Sequence, residues 1–173
     1  VVELVSYDIT WPAQFKAEKV ILREALDQWL AGSIEHVGST AVPGLVAKPI
    51  IDIMAPVRSL EESTAAIEAA IAVGYVYYPY KADIMHWFCK PSPVHRTHHL
   101  HLVPQNSGLW SDRLLFRDEL RRRKALASEY AILKQQVAKE FALDREAYTK
   151  AKKPFVDRVL AIARNPGNVQ RME

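Results

Sequence analysis

Residues 35–57 read EHVGSTAVPGLVAKPIIDIMAPV, and they restrict the fold more tightly than any other part of the chain. Ile50 to Val57 is an apolar run with strand character. Successive side chains of a strand point to opposite faces, so Ile51, Ile53 and Ala55 share one face while Ile50, Asp52 and Met54 share the other. Asp52 is the single charge in this run. An ionised carboxylate buried without a partner is costly, so such a residue calls for a cation, a metal or a set of hydrogen-bond donors beside it. Upstream, Gly38-Ser39-Thr40 closes the short apolar segment Ile34 to Val37. Glycine at that point adopts backbone angles closed to other residues and lets peptide N–H groups approach a phosphate. Two readings stand side by side: a phosphate- and metal-handling site, or a tight turn with a structural aspartate.

A second constellation lies at His98-His99-Leu100-His101-Leu102-Val103. Strand alternation puts His99 and His101 on one face, with His98, Leu100 and Leu102 on the other. Two imidazoles at i and i+2 converge on one point. If this strand pairs beside the Asp52 strand, Asp52, His99 and His101 form a metal set that suits zinc, manganese or iron(II) better than magnesium alone. The alternative is that the histidines bond backbone carbonyls, or that one donates to a phosphate. His36 is either a further pocket member or a half-buried strand residue, and His86 and His95 read as surface residues. Lys48, in the connection before the Asp52 strand, and Arg96, just before the histidine strand, are candidate phosphate contacts. Each has an exposed loop cation as its plainer reading.

The remaining pattern frames a mixed α+β domain. Phe15, Leu22, Leu26 and Trp29 fall at helical spacing after Pro12, which suits a first helical turn. Leu60 to Ala72 predicts a helix that stops before Gly74. Strands are expected at Tyr75 to Tyr78, Ile84 to Cys89 and His98 to Val103. From Trp110 onward the stripes Leu114-Leu115-Phe116, Tyr130-Leu133-Val137 and Phe155-Val159-Ile162 predict helices whose apolar faces are core. The expected architecture is therefore an N-terminal helix, a small mixed β-sheet and a helical C-terminal half. With 173 residues, 49% of them hydrophobic, the chain has enough material for one sizeable core. We expect a single domain over residues 1–164 and a frayed tail over 165–173.

The single Cys89 rules out an internal disulfide framework and reads as an apolar filler. No apolar run is long enough to span a bilayer and no signal peptide is evident, so the expectation is a soluble, cytoplasmic protein. A net charge of +3 permits a phosphorylated ligand without requiring nucleic acid. Arg117, Arg121, Arg122, Arg123 and Lys124 read as a solvated helix face or a last turn matched to the helix dipole. Neither a helix-turn-helix signal nor a basic strand interleaved with aromatics accompanies them, so nucleic acid is not an expected partner.

The stretch EHVGSTAVPGLVAKPIIDI resembles the signature of the GrpB-like family, which is assigned to the nucleotidyltransferase superfamily. Tyr7-Asp8-Ile9-Thr10-Trp11-Pro12, Arg96 to Val103, Leu114 to Asp118 and Asp144 to Thr149 resemble further blocks of that family in the same order. The resemblance implies a nucleotidyltransferase-like fold acting on or binding a nucleotide or phosphorylated small molecule. It implies Gly38, Ser39 and Thr40 as the phosphate turn and Asp52 as the first metal-holding acid, with a divalent ion (magnesium, manganese or zinc) as cofactor. The superfamily's second acid falls on Met54, whose thioether is a poor ligand for a hard cation. Its third acid falls near His99 and His101, so His101 would stand in for a lost carboxylate among the catalytic residues Ser39, Asp52 and His101. The family's Tyr-Thr-x-Gly-Lys run appears as Tyr148-Thr149-Lys150-Ala151-Lys152, which puts Lys152 among the phosphate contacts. The other implied role is a catalytically degenerate domain that binds a ligand or a protein partner. Family members fused to dephospho-coenzyme A kinase agree with a helper of that kind.

Overall fold

The computed structural model describes residues 1–167. Helix α1 spans Trp11–Leu26, with Pro12 in its first turn, and a short 3-10 turn carries the chain to strand β1, Glu35–Val37. A second 3-10 turn, Ser39–Ala41, follows Gly38. Strand β2 is Ile51–Val57 and helix α2 is Ala66–Ala72. Strands β3 (Val76–Tyr77), β4 (His86–Pro91) and β5 (Arg96–Pro104) come next. Four helices complete the chain: α3 Gly108–Arg122, α4 Lys124–Glu140, α5 Arg145–Ala151 and α6 Lys153–Arg164. The helical half predicted after Trp110 is present. The helix expected from Leu60 begins only at Ala66, because Ser63 and Thr64 hydroxyls bond back to the carbonyls of residues 59–61 and hold that stretch as turns.

The strands form one mixed sheet in the order β1-β2-β5-β4-β3. Strands β2 and β5 are parallel and central, with Asp52 opposite His99, while the other three pairings are antiparallel. The period-2 pattern explains both faces. Ile51, Ile53, Ala55 and Val57 join Phe88, Leu100 and Leu102 under α1 and α2 in the main core. Val37, Met54, Trp87, Cys89 and Val103 point to the other face, where Trp110 of α3 covers them. Asp52, His99 and His101 belong to this second face by the same alternation. The expected fold class is present.

Beside the second face, Leu120, Leu126, Tyr130, Phe155 and Val159 pack the C-terminal helices onto Val42 and Leu45, which follow the Ser39 turn. Tyr130 and Phe155 stack with ring centroids 5.0 Å apart. Helix α5 begins at an Asp144 side chain that accepts from the N–H groups of Glu146 and Ala147, an N-cap matched to its first turn. His86 departs from the surface role expected of it: it is buried at the head of β4, with Nε2 3.1 Å from the Leu60 carbonyl. His95 is exposed, as expected. The frayed tail was expected over 165–173, of which residues 168–173 lie outside the described residues. Among the described residues, no helix is long and apolar enough to cross a membrane.

Candidate functional site

Gly38 and Asp52 are fitted to each other. Gly38 has φ +73°, and a Cβ built there would stand 2.6 Å from Asp52 Oδ2. The glycine is required both by its backbone angle and by the carboxylate pressed against it. Helix α3 braces the turn from outside. Arg117 Nη1 donates to Glu35 Oε2 at 2.7 Å and to the His36 carbonyl at 3.1 Å, and Arg121 Nε donates to the Ala41 carbonyl at 2.8 Å. Of the basic cluster, Arg117 is thus turned inward and buried, while Arg121 stays exposed and only its Nε reaches the turn. The sequence reading missed this because helical spacing alone did not show which face of α3 meets β1.

Thr40 and His36 are committed to the fold. The Thr40 hydroxyl donates to the Ile50 carbonyl at 3.0 Å, so His36 Nε2 is the donor in its 2.9 Å contact with Thr40 Oγ1. The His36 ring stacks on Phe15 at 4.9 Å, on the core side of β1. Burial lowers its pKa to about 4, so it stays neutral. Of the predicted phosphate turn, Thr40 therefore serves as an internal strut.

Asp52, His99 and His101 meet as strand alternation predicted. His99 Nδ1 lies 3.0 Å and His101 Nε2 3.5 Å from Asp52 Oδ1, and all three residues offer ligand atoms within 4.8 Å of one another. Burial raises the Asp52 pKa, but hydrogen bonds from His101 and His99 outweigh it and hold the carboxyl well below its usual range. An ionised carboxylate only accepts, so His99 Nδ1 is the donor in this contact. The other ring nitrogen, His99 Nε2, is buried and has no hydrogen-bond partner among the described residues. The Trp87 ring flanks His99 at 5.0 Å, and Arg96 lies over Trp87 at 5.2 Å while its Nε donates to the Pro93 carbonyl. His101 Nδ1 receives Arg113 Nη1 at 2.9 Å. Burial, then Arg113, push the His101 pKa down to about 4 against the pull of Asp52. A carboxylate among two imidazoles, one with an orphaned buried nitrogen, is a donor set that fits a borderline divalent cation.

Beside this trio stand three lysines. Lys48 Nζ lies 5.3 Å and Lys152 Nζ 4.1 Å from the centroid of the buried Tyr148 ring. Lys134 Nζ lies 5.0 Å from the Tyr130 centroid and donates to the Val46 carbonyl. Among the described residues none of the three makes an ion pair. Burial, with Lys152 and Lys48 adding, lowers Lys134 to about 7, and burial with Lys48 lowers Lys152 to about 8. Burial also lowers Lys48, while Asp52 acts to raise it. The sequence reading named Lys48 and Lys152 and missed Lys134, Arg113, Tyr130 and Tyr148. Lys134 carried a signal: it stands four residues after Tyr130 and three before Val137, on the apolar stripe of α4.

The model of the family described as "GrpB protein" matches residues 1–161. The chain belongs to the GrpB family. A "UPF0157 protein" of Pseudomonas aeruginosa is 41% identical over 171 residues, covering 94% of this chain and 67% of that protein. The crystal structure of GrpB from Enterococcus faecalis superposes with a TM-score of 0.83 at 30% identity, covering 93% of this chain and 96% of the other. Beyond GrpB proteins, the Cid1 poly(U) polymerase matches with a TM-score of 0.56 at 14% identity, over 84% of this chain and 49% of that one. This last likeness establishes a nucleotidyltransferase-type fold.

Proposed function

We propose that this GrpB protein binds a nucleotide or a related phosphorylated small molecule, with the phosphates held between the Gly38-Ser39 turn and Lys48, Lys134 and Lys152, and with a divalent cation on Asp52, His99 and His101. The observation that carries this reading is a set of three depressed lysines, Lys134 buried and Lys48 and Lys152 half-buried, with no carboxylate partner among the described residues. Like charges this close destabilise one another unless an anion joins them. A polyphosphate is an anion whose charge suits three amines together with a Gly-Ser turn.

The chain's own groups divide the work. The lysines neutralise phosphate charge, the Ser39 hydroxyl offers one more hydrogen bond, and Asp52 holds its position through donors on both imidazoles. A bound cation would supply Lewis-acid polarisation of a phosphoryl oxygen and a hydroxyl of lowered pKa. Arg96, over Trp87, would meet the outer part of such a ligand.

Met54 favours a second reading. It stands where the superfamily's second acid belongs, is fully buried, and packs with Val37, Met85 and Trp87. The face that would carry the second acid is core, so a two-ion site of the usual kind cannot be assembled from Asp52 and residue 54. A domain that binds the ligand without turning it over, serving a protein partner, follows from that.

Thermal-shift titration with manganese or zinc, with and without nucleoside triphosphates and tripolyphosphate, tests both. A ligand that binds the folded state raises the apparent melting temperature by mass action. The proposal expects a shift with triphosphate that is lost in Lys152→Ala, and a metal-dependent part that is lost in Asp52→Asn. Product formation alongside that shift selects the enzyme, and a shift without product selects the binding domain. No shift with any probe sinks the phosphate reading.

A further inference from the structure

The contact between Arg113 and His101 runs against the usual pattern of a metal-ligating histidine. A guanidinium has five donors and no acceptor. The 2.9 Å contact from Arg113 Nη1 therefore makes His101 Nδ1 the acceptor. The neutral ring must then carry its proton on Nε2, the nitrogen turned toward Asp52 Oδ1 at 3.5 Å. That proton occupies the lone pair which an ion beside Asp52 requires. A ligating histidine ordinarily donates its outer N–H to a carboxylate, carbonyl or water. Here the outer nitrogen faces a donor. Moving the proton to Nδ1 with Arg113 in place sets N–H against N–H at hydrogen-bond distance, beside a second positive charge.

We infer that Arg113 gates the metal site: while its guanidinium donates to His101 Nδ1, the ring is locked as the Nε2–H tautomer and cannot ligate, and an ion enters only once Arg113 leaves that nitrogen. This rests on the metal reading proposed above. The exchange is balanced within the ring and water, since the Nε2 proton is lost to solvent and one proton is regained at Nδ1. No other reactant is needed. In the closed state the positive charge next to Asp52 is supplied by Arg113 through His101, so carboxylate and cation coexist in the pocket without an ion. Arg113 acts through His101 and is a positioning residue. Among the described residues Arg113 makes no ion pair, so no carboxylate contact has to break for it to leave His101.

The test is long-range ¹H–¹⁵N correlation of histidine-labelled protein, with the His101 ring assigned through His101→Gln. Wild type should show the Nε2–H tautomer of His101 before metal is added, and Arg113→Met should shift that ring toward Nδ1–H. Titrated with Zn²⁺, Arg113→Met should coordinate through His101 at free metal at least about tenfold lower than wild type. If Arg113→Met does not fold, Arg113→Gln, which offers an acceptor carbonyl, gives the same comparison. A wild-type ring already in the Nδ1–H form overturns the gate. Equal zinc affinity in the two proteins also overturns it and leaves the metal reading standing. No zinc binding by either protein overturns both.

Discussion

Gly38 and Asp52 show how one side chain dictates another. The carboxylate occupies the space a Cβ at residue 38 would take, and the backbone there is left-handed. Gly38→Ala should therefore cost about 1–3 kcal/mol in urea unfolding. Part of that cost should vanish in an Asp52→Ala background, where the carboxyl group is gone and only the contact with the residue 52 Cβ, 3.1 Å away, and the backbone penalty remain. Gly44, at φ +82° with nothing within 4 Å of a built Cβ, supplies the control for backbone strain alone. Lys134 yields a second residue-level prediction, with its sign fixed by linkage. Its pKa is about 7 in the folded protein, against an ordinary 10.5. Between those values the unfolded chain binds the extra proton, so this group makes stability rise with pH from about 7 toward 10, on the order of 1 kcal/mol per unit. Lys134→Met lacks that slope. Its stability relative to wild type, measured by denaturant midpoints at several pH values, should be highest near pH 7 and fall as pH rises. The same variant should lose the triphosphate-induced thermal shift.

Among the elements, α3 serves the sheet and the Ser39 turn together. Arg117 is nearly buried and ties Glu35 and the His36 carbonyl to the helix. Arg117→Ala strands a buried carbonyl and a half-exposed carboxylate, for an expected loss of about 1–3 kcal/mol in thermal or urea melts. Lys153, paired with Asp157 on the exposed face of α6, should change stability by less than about 0.5 kcal/mol when replaced by Ala. Legibility followed the same division. Strand alternation around Asp52 and the histidines was readable because a period of two fixes the face of every side chain once one is known. Their convergence needed one pairing assumption, and β2 and β5 satisfy it. The inward turn of Arg117 and the burial of His86 were not readable, because a helix face or strand end takes its environment from a partner distant in sequence. Lys134 and Arg113 belong to that second kind: one lies on an apolar stripe where it breaks the pattern, and the other has no local mark.

For the molecule as a whole, the proposed site draws on two parts of the structure. The sheet supplies Asp52, His99 and His101, the turn supplies Gly38 and Ser39, and the helical half supplies Arg113, Tyr130, Lys134, Tyr148 and Lys152. A ligand that engages the lysines and the turn together should tighten both. Amide hydrogen exchange with and without tripolyphosphate should slow in residues 36–42 and in α4 and α5 at once, leaving α2 unchanged. Slowing confined to one side would mean that the ligand does not bridge them.

The parallel pairing of β2 with β5 sets Asp52 opposite His99 across a long intervening stretch that forms α2, β3 and β4. Insertions or deletions in those connecting loops leave the pairing untouched, so the pocket tolerates changes of loop length. A single residue inserted within β5 ahead of His98 is another matter. It would exchange the two faces of the strand, presenting His98 and Leu100 to Asp52 and driving His99 and His101 into the main core beneath α1. The chemistry of this site is thus protected by parity: even shifts along either strand displace it, and odd ones erase it.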